Sequence, residues 1–252
     1  CWDLRELGRS LCVYDHIGQG KSTRLLKDSQ KGPIQNFNVY VDDLSSIISS
    51  IVRQRSPGPV WLLAHSMGGT ISALLAQDRP ALVSGLLLVS PMFQVNTGRF
   101  LRPPAAELLC SLICITGGSS RYVWGNDRFN PFMSFKNNVL TSDSIRFSYN
   151  LDLLIQNPDM ALGGPTFRWL QQAFRAMRAA RQRAAEIACP TMIFRTADER
   201  VVGLPEMEQF CEQATSCQLV TYQDCQHELL MEKNRVRNDV LGNIRNFLNK
   251  TS

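Results

Sequence analysis

Val60–Thr70, VWLLAHSMGGT, runs a short apolar segment straight into His65-Ser66-Met67-Gly68-Gly69. A buried strand, a sharp turn and a helix written in that order hold one serine at the turn. The residues around it must be small for the chain to turn so tightly, and Ala64, Gly68 and Gly69 are. Such a turn lifts the Ser66 hydroxyl to the carboxyl edge of a sheet, where the N–H of Met67, at the helix start, can stabilise an oxyanion. Ala64 stands where this pattern usually has its first glycine.

The same alternation extends outward. Ser10–Asp15, Val60–Ala64, Leu86–Ser90 and Thr191–Thr196 are short apolar runs suited to strands covered on both faces. Phe37–Arg53 carries Tyr40, Leu44, Ile47, Ile48 and Ile51 at helical spacing, and Met67–Gln77 and Val236–Leu248 behave alike. Strands alternating with helices predict an α/β fold with a mostly parallel sheet and helices on both faces. The alternation breaks after Pro91 and resumes at Cys189–Pro190. The expected organisation is therefore a core over residues 1–92, a helical cap insertion over 93–183, and the rest of the core over 184–252.

Composition narrows the class. The 252 residues carry 27 Lys+Arg against 22 Asp+Glu, a formal charge of +5. No dense basic stripe interleaved with aromatics predicts nucleic-acid binding. Eight cysteines without a C-x-x-C pair, and three histidines, make a zinc site improbable. Cys12 and Cys189 lie in or beside apolar runs, where reduced, buried thiols are usual, so a cytoplasmic compartment is expected. The chain opens at Cys1 almost directly on its first strand-like run, which reads as an N-terminal truncation. Gly18-Gln19-Gly20 fits no phosphate-binding pattern and reads as tight-turn glycines.

A serine nucleophile needs a base, and the base an orienting carboxylate. Asp198 follows the run Thr191–Thr196, with its neighbour Glu199 as the alternative. His227 follows the strand-like Leu219–Tyr222. His65 is too close to Ser66 in the turn to act on it, and His16 belongs to a separate loop. Within the expected cap, Ala105–Ile115 is an apolar stretch suited to a core-packed helix, an acyl-pocket wall or a membrane-touching lid, with Leu108, Leu112 and Trp169 as candidate substrate contacts. Phe167–Ala185 sets Arg168, Arg175, Arg178 and Arg181 opposite an apolar face. That is a solvated helix, or one that meets an anionic membrane peripherally, at its inner face.

Four motifs carry a family resemblance: Asp15–Ser22 (DHIGQGKS), Ala64–Gly69 (AHSMGG), Thr196–Val202 (TADERVV) and His227–Glu232 (HELLME). Together they resemble the monoacylglycerol lipase and lysophospholipase branch of the α/β-hydrolases, with Ile17 standing where these enzymes usually have Arg. Arg24–Asp28, Phe37–Leu44, Pro91–Phe93, Asn138–Ser142 and Leu162–Trp169 extend the likeness over nearly the whole chain. The resemblance implies a serine hydrolase of lysophospholipids or monoacylglycerols, with Ser66, Asp198 and His227 as its triad. It implies no cofactor and no metal, and a second oxyanion donor from a loop upstream of Cys1. A general carboxylesterase and a non-catalytic protein on the same scaffold are the alternatives.

Overall fold

The computed structural model describes residues 2–5, 8–32, 34–98 and 101–251. Four parallel strands, β1 (Trp61–His65), β2 (Gly85–Val89), β3 (Thr191–Thr196) and β4 (Cys217–Tyr222), form one sheet in that order. Their side chains alternate between two cores. Leu86, Leu88 and Ile193 point into one, with α1 (Asn38–Ile47) and α2 (Met67–Asp78). Leu87, Val89, Met192 and Phe194 point into the other, with Val236, Val240, Ile244 and Phe247 of the C-terminal helix Asn234–Thr251. Every residue of β2 is buried, which is why that strand reads as an unbroken apolar run.

Between β2 and β3 the chain forms α3 (Pro103–Ile115), α4 (Ser144–Gln156) and α5 (Phe167–Gln182). Pro103 opens α3 at a position where a missing N–H costs nothing. Asp143 caps α4, its carboxylate accepting from the N–H groups of Ile145 and Arg146, both at 3.0 Å. Thr166 caps α5 through the N–H of Trp169. After β3 come α6 (Leu204–Gln213), β4 and α7 (Asn234–Thr251).

Two expectations fail. Ser10–Asp15 takes no regular secondary structure and joins no strand ladder among the described residues; Leu11 is exposed and Val13 is 70% exposed. A cavity of about 1000 Å³ lies against Ser10–Tyr14 and against β1. Among the described residues no strand lies beside this apolar run to pair with its backbone. The thiol reading fails in part as well. Cys12 is exposed, Cys189 is half-buried, and Cys211 and Cys217 form a disulfide tying the end of α6 to the start of β4.

Candidate active site

The turn after β1 is strained at the serine. Ser66 has φ +50° and ψ −115°, a conformation that non-glycine residues rarely adopt. Its N–H donates to the carbonyl of Val89 at 3.0 Å, and its carbonyl accepts from Met92 N–H and Gly69 N–H, both at 2.9 Å. The elbow is thereby pinned to the end of β2. Gly69 is required there: a Cβ on it would stand 2.6 Å from the Cβ of Pro91 and 2.9 Å from its Cα. Gly68 is less constrained, since its Cβ would meet only Ala64 Cβ, at 3.5 Å. The alanine that replaces the usual first glycine therefore fits without demanding a glycine at position 68.

Among the described residues the other non-glycine positions with positive φ are Ser90, at +44°, and Asp224, at +56°. Ser90 follows β2, and Asp224 lies in the loop that leads to His227. All three sit at the carboxyl rim of the sheet, so backbone strain converges on one place. The Ser90 hydroxyl donates to the His227 carbonyl at 2.8 Å. Ser66 and His227 are thus each anchored to one of two consecutive residues, Val89 and Ser90.

His227 is 3% exposed. Its Nδ1 lies 3.0 and 2.9 Å from the two carboxylate oxygens of Glu199, whose side chain is wholly buried. Burial acts to raise the Glu199 pKa. The hydrogen bond and charge of His227 and the N–H groups of Val201 and Val202 oppose it and hold the group below the usual carboxylate range. An ionised carboxylate on Nδ1 leaves Nε2 as the free basic nitrogen. The His227 ring packs edge-on against His65, with centroids 4.8 Å apart. Desolvation of the ring, then the neighbouring His227, lower the His65 pKa, although the residue keeps an exposed side.

The carboxylate at His227 is not that of Asp198. Asp198 is exposed, and its N–H donates to the Thr196 hydroxyl at 3.1 Å. The first loop residue after β3 that turns inward is Glu199. Asp198 is the expected partner, with Glu199 as the alternative; the turn after β3 instead brings Glu199 to the ring.

Of the candidate substrate contacts, Trp169 lines the large cavity together with Ser66, Met67, Gln19 and His16. Leu108 and Leu112 point away from it and are 62% and 52% exposed. They lie opposite Ala106, Cys110 and Cys114, the face that α3 buries. The arginine face of α5 is largely engaged within the molecule. Arg178 chelates Glu107 at 2.5 and 2.9 Å, Arg181 donates to the Phe93 carbonyl and Gln94, and Arg168 donates to Gln171. Arg175 is exposed and has no ion-pair partner among the described residues.

The family model described as serine aminopeptidase, S33, matches residues 1–234. Lysophospholipase L2 of Escherichia coli is 33% identical over 99% of this chain and 75% of its own length. Monoglyceride lipase of Rattus norvegicus is 35% identical over 42% of this chain and 34% of its own length. The crystal structure of Paleococcus ferrophilus monoacylglycerol lipase superposes with a TM-score of 0.73 at 15% identity, covering 99% of this chain and 86% of that one.

Proposed function

Because this chain belongs to the serine aminopeptidase S33 family and is a serine ester hydrolase, we propose that it cleaves single-chain lipids at their carboxylic ester, through an acyl-enzyme on Ser66. The substrate class is a lysophospholipid or a monoacylglycerol, as the names of the relatives suggest. The observation that carries the reading is the buried His227–Glu199 pair beside the strained elbow of Ser66. His227 Nε2 takes the Ser66 proton as Oγ attacks the acyl carbonyl. The N–H of Met67 faces the developing oxyanion, and the alcohol leaves with the proton from His227. Water, deprotonated by the same imidazole, then releases the fatty acid. Glu199 fixes the ring tautomer and stabilises its charged form throughout.

Residues 93–183 form the cap in this reading. Trp169 borders the space over Ser66, while the outward side of the cap meets the lipid surface. Leu108, Leu112 and Ile115 on α3, and Ile145, Tyr149 and Leu153 on α4, are large side chains facing solvent at helical spacing. Exposed Arg175 on α5 supplies positive charge toward anionic headgroups. Contact is peripheral. Among the described residues no helix is long and apolar enough to cross a membrane.

The test is a turnover screen over lysophospholipids, monoacylglycerols and short p-nitrophenyl esters, with Ser66→Ala as control. Turnover of the lipid esters that the control lacks is expected. Turnover of the short esters alone would reassign the protein as a general carboxylesterase.

A further inference from the structure

Glu232 takes no part in the proposed reaction, yet it is fully buried and receives donors from two distant stretches of chain. Its Oε1 accepts from the N–H of Gln226 at 2.8 Å and from the N–H of Ser142 at 2.7 Å. Its Oε2 accepts from the Ser142 hydroxyl at 2.5 Å and from the N–H of Lys233 at 3.3 Å. Gln226 immediately precedes His227, and Ser142 belongs to the segment between β2 and β3. Two more hydrogen bonds join the same stretches. Glu228 N–H donates to the Leu140 carbonyl at 2.7 Å, and the Thr141 hydroxyl donates to the Met231 carbonyl at 2.7 Å.

Burying a carboxylate is costly unless donors replace its water, and here four do. Apolar packing would hold two loops together without that cost. What a carboxylate adds is direction, since each oxygen sets the distance and angle of its donors. Glu199 and Ser90 hold His227 through its Nδ1 and its carbonyl. Neither of them fixes the backbone just before it.

We propose that Glu232 is a positioning residue for the base, locking the backbone at Gln226 to residues 140–142 of the cap, so that His227 and the cap move as one body. The proposal rests on the reading of His227 as the base. Glu232 acts through the loop and touches neither the imidazole nor Ser66.

Glu232→Gln, Ser142→Ala and the double variant test it in the full chain. The measurements are kcat and KM on a monoacylglycerol in detergent micelles, the rate at which a fluorophosphonate labels Ser66, and thermal unfolding. Displacing a reacting group by about 1 Å costs on the order of 100-fold, so Glu232→Gln is expected to lower kcat about 10- to 100-fold with KM within about twofold. Labelling should slow in the same ratio, and the double variant should be no worse than Glu232→Gln alone, because both remove one linkage. Folded Glu232→Gln labelling at the wild-type rate, a rise in KM alone, or losses that multiply in the double variant would each overturn the proposal. Should Glu232→Gln not fold, Ser142→Ala decides alone, and a wild-type kcat and labelling rate there overturns it. Wild-type protein that labels but turns over no lipid ester removes the substrate reading and leaves the labelling comparison to decide the role of Glu232.

Discussion

Helices α2 and α3 are both rich in apolar residues and end up in opposite surroundings. α2 follows Ser66 and buries every residue from Gly69 to Gln77. α3 buries only Ala106, Cys110 and Cys114, and turns Leu108, Leu112 and Ile115 outward, the last of them 82% exposed. Its small residues face the protein and its large ones face away. Hydrophobicity says that a helix will seek an apolar partner, but not whether that partner is the protein's own core. At the rim the molecule keeps polar groups dry and directed, whereas α3 leaves apolar groups wet and unclaimed.

The sharpest way to break this contrast is at the rim. Glu199→Gln should lower turnover by roughly 10³- to 10⁴-fold, as loss of an orienting carboxylate does elsewhere, while Asp198→Asn stays within about twofold of wild type. Steady-state kinetics on one ester settles it, and the reverse ranking would return the role to Asp198. Next in size comes stability. Leu75→Ala in α2 should cost about 2–5 kcal/mol in denaturant unfolding, and Leu112→Ala in α3 no more than about 0.5 kcal/mol. Similar costs at both sites would mean that α3 is covered in solution.

Replacing Leu108, Leu112 and Ile115 together with Ser should weaken cosedimentation with anionic vesicles by about tenfold or more, by loss of apolar area. Hydrolysis of a water-soluble ester should be unaffected. Unchanged vesicle binding would leave the outward face of α3 without its proposed partner. The smallest effect concerns acid. A folded pKa held below the ordinary Glu value of 4.5 contributes stability above that value, which is lost as pH falls through the lower, folded one. Glu199→Gln should therefore show a smaller drop in Tm from pH 5 to pH 3 than wild type does.

The legible part of the molecule is the part where one strand or turn decides its own surroundings. Val60–Thr70 announces the elbow because the turn demands small residues locally, and β2 announces its burial because both its faces are apolar. The preference for Asp198 over Glu199 as the contact of His227 is wrong, since the sequence carries the acidity of the turn but not its direction. Ser10–Asp15 reads as a strand by composition, yet a ladder also needs a neighbour within hydrogen-bonding distance. The arginines of α5 read as a free basic face because Glu107 lies 71 residues before Arg178, and the Phe93 carbonyl 88 residues before Arg181. Side-chain partners that distant leave no periodic signal.

The contact between Gly69 and Pro91 has an evolutionary corollary. A library randomised at residues 68 and 69 should return functional clones with alanine at the first position and almost nothing but glycine at the second, because only the second lies against backbone that cannot retreat. Adaptation of this hydrolase to new esters would then have to arise from its loops and from the segment between β2 and β3, with position 69 beneath the nucleophile closed to variation.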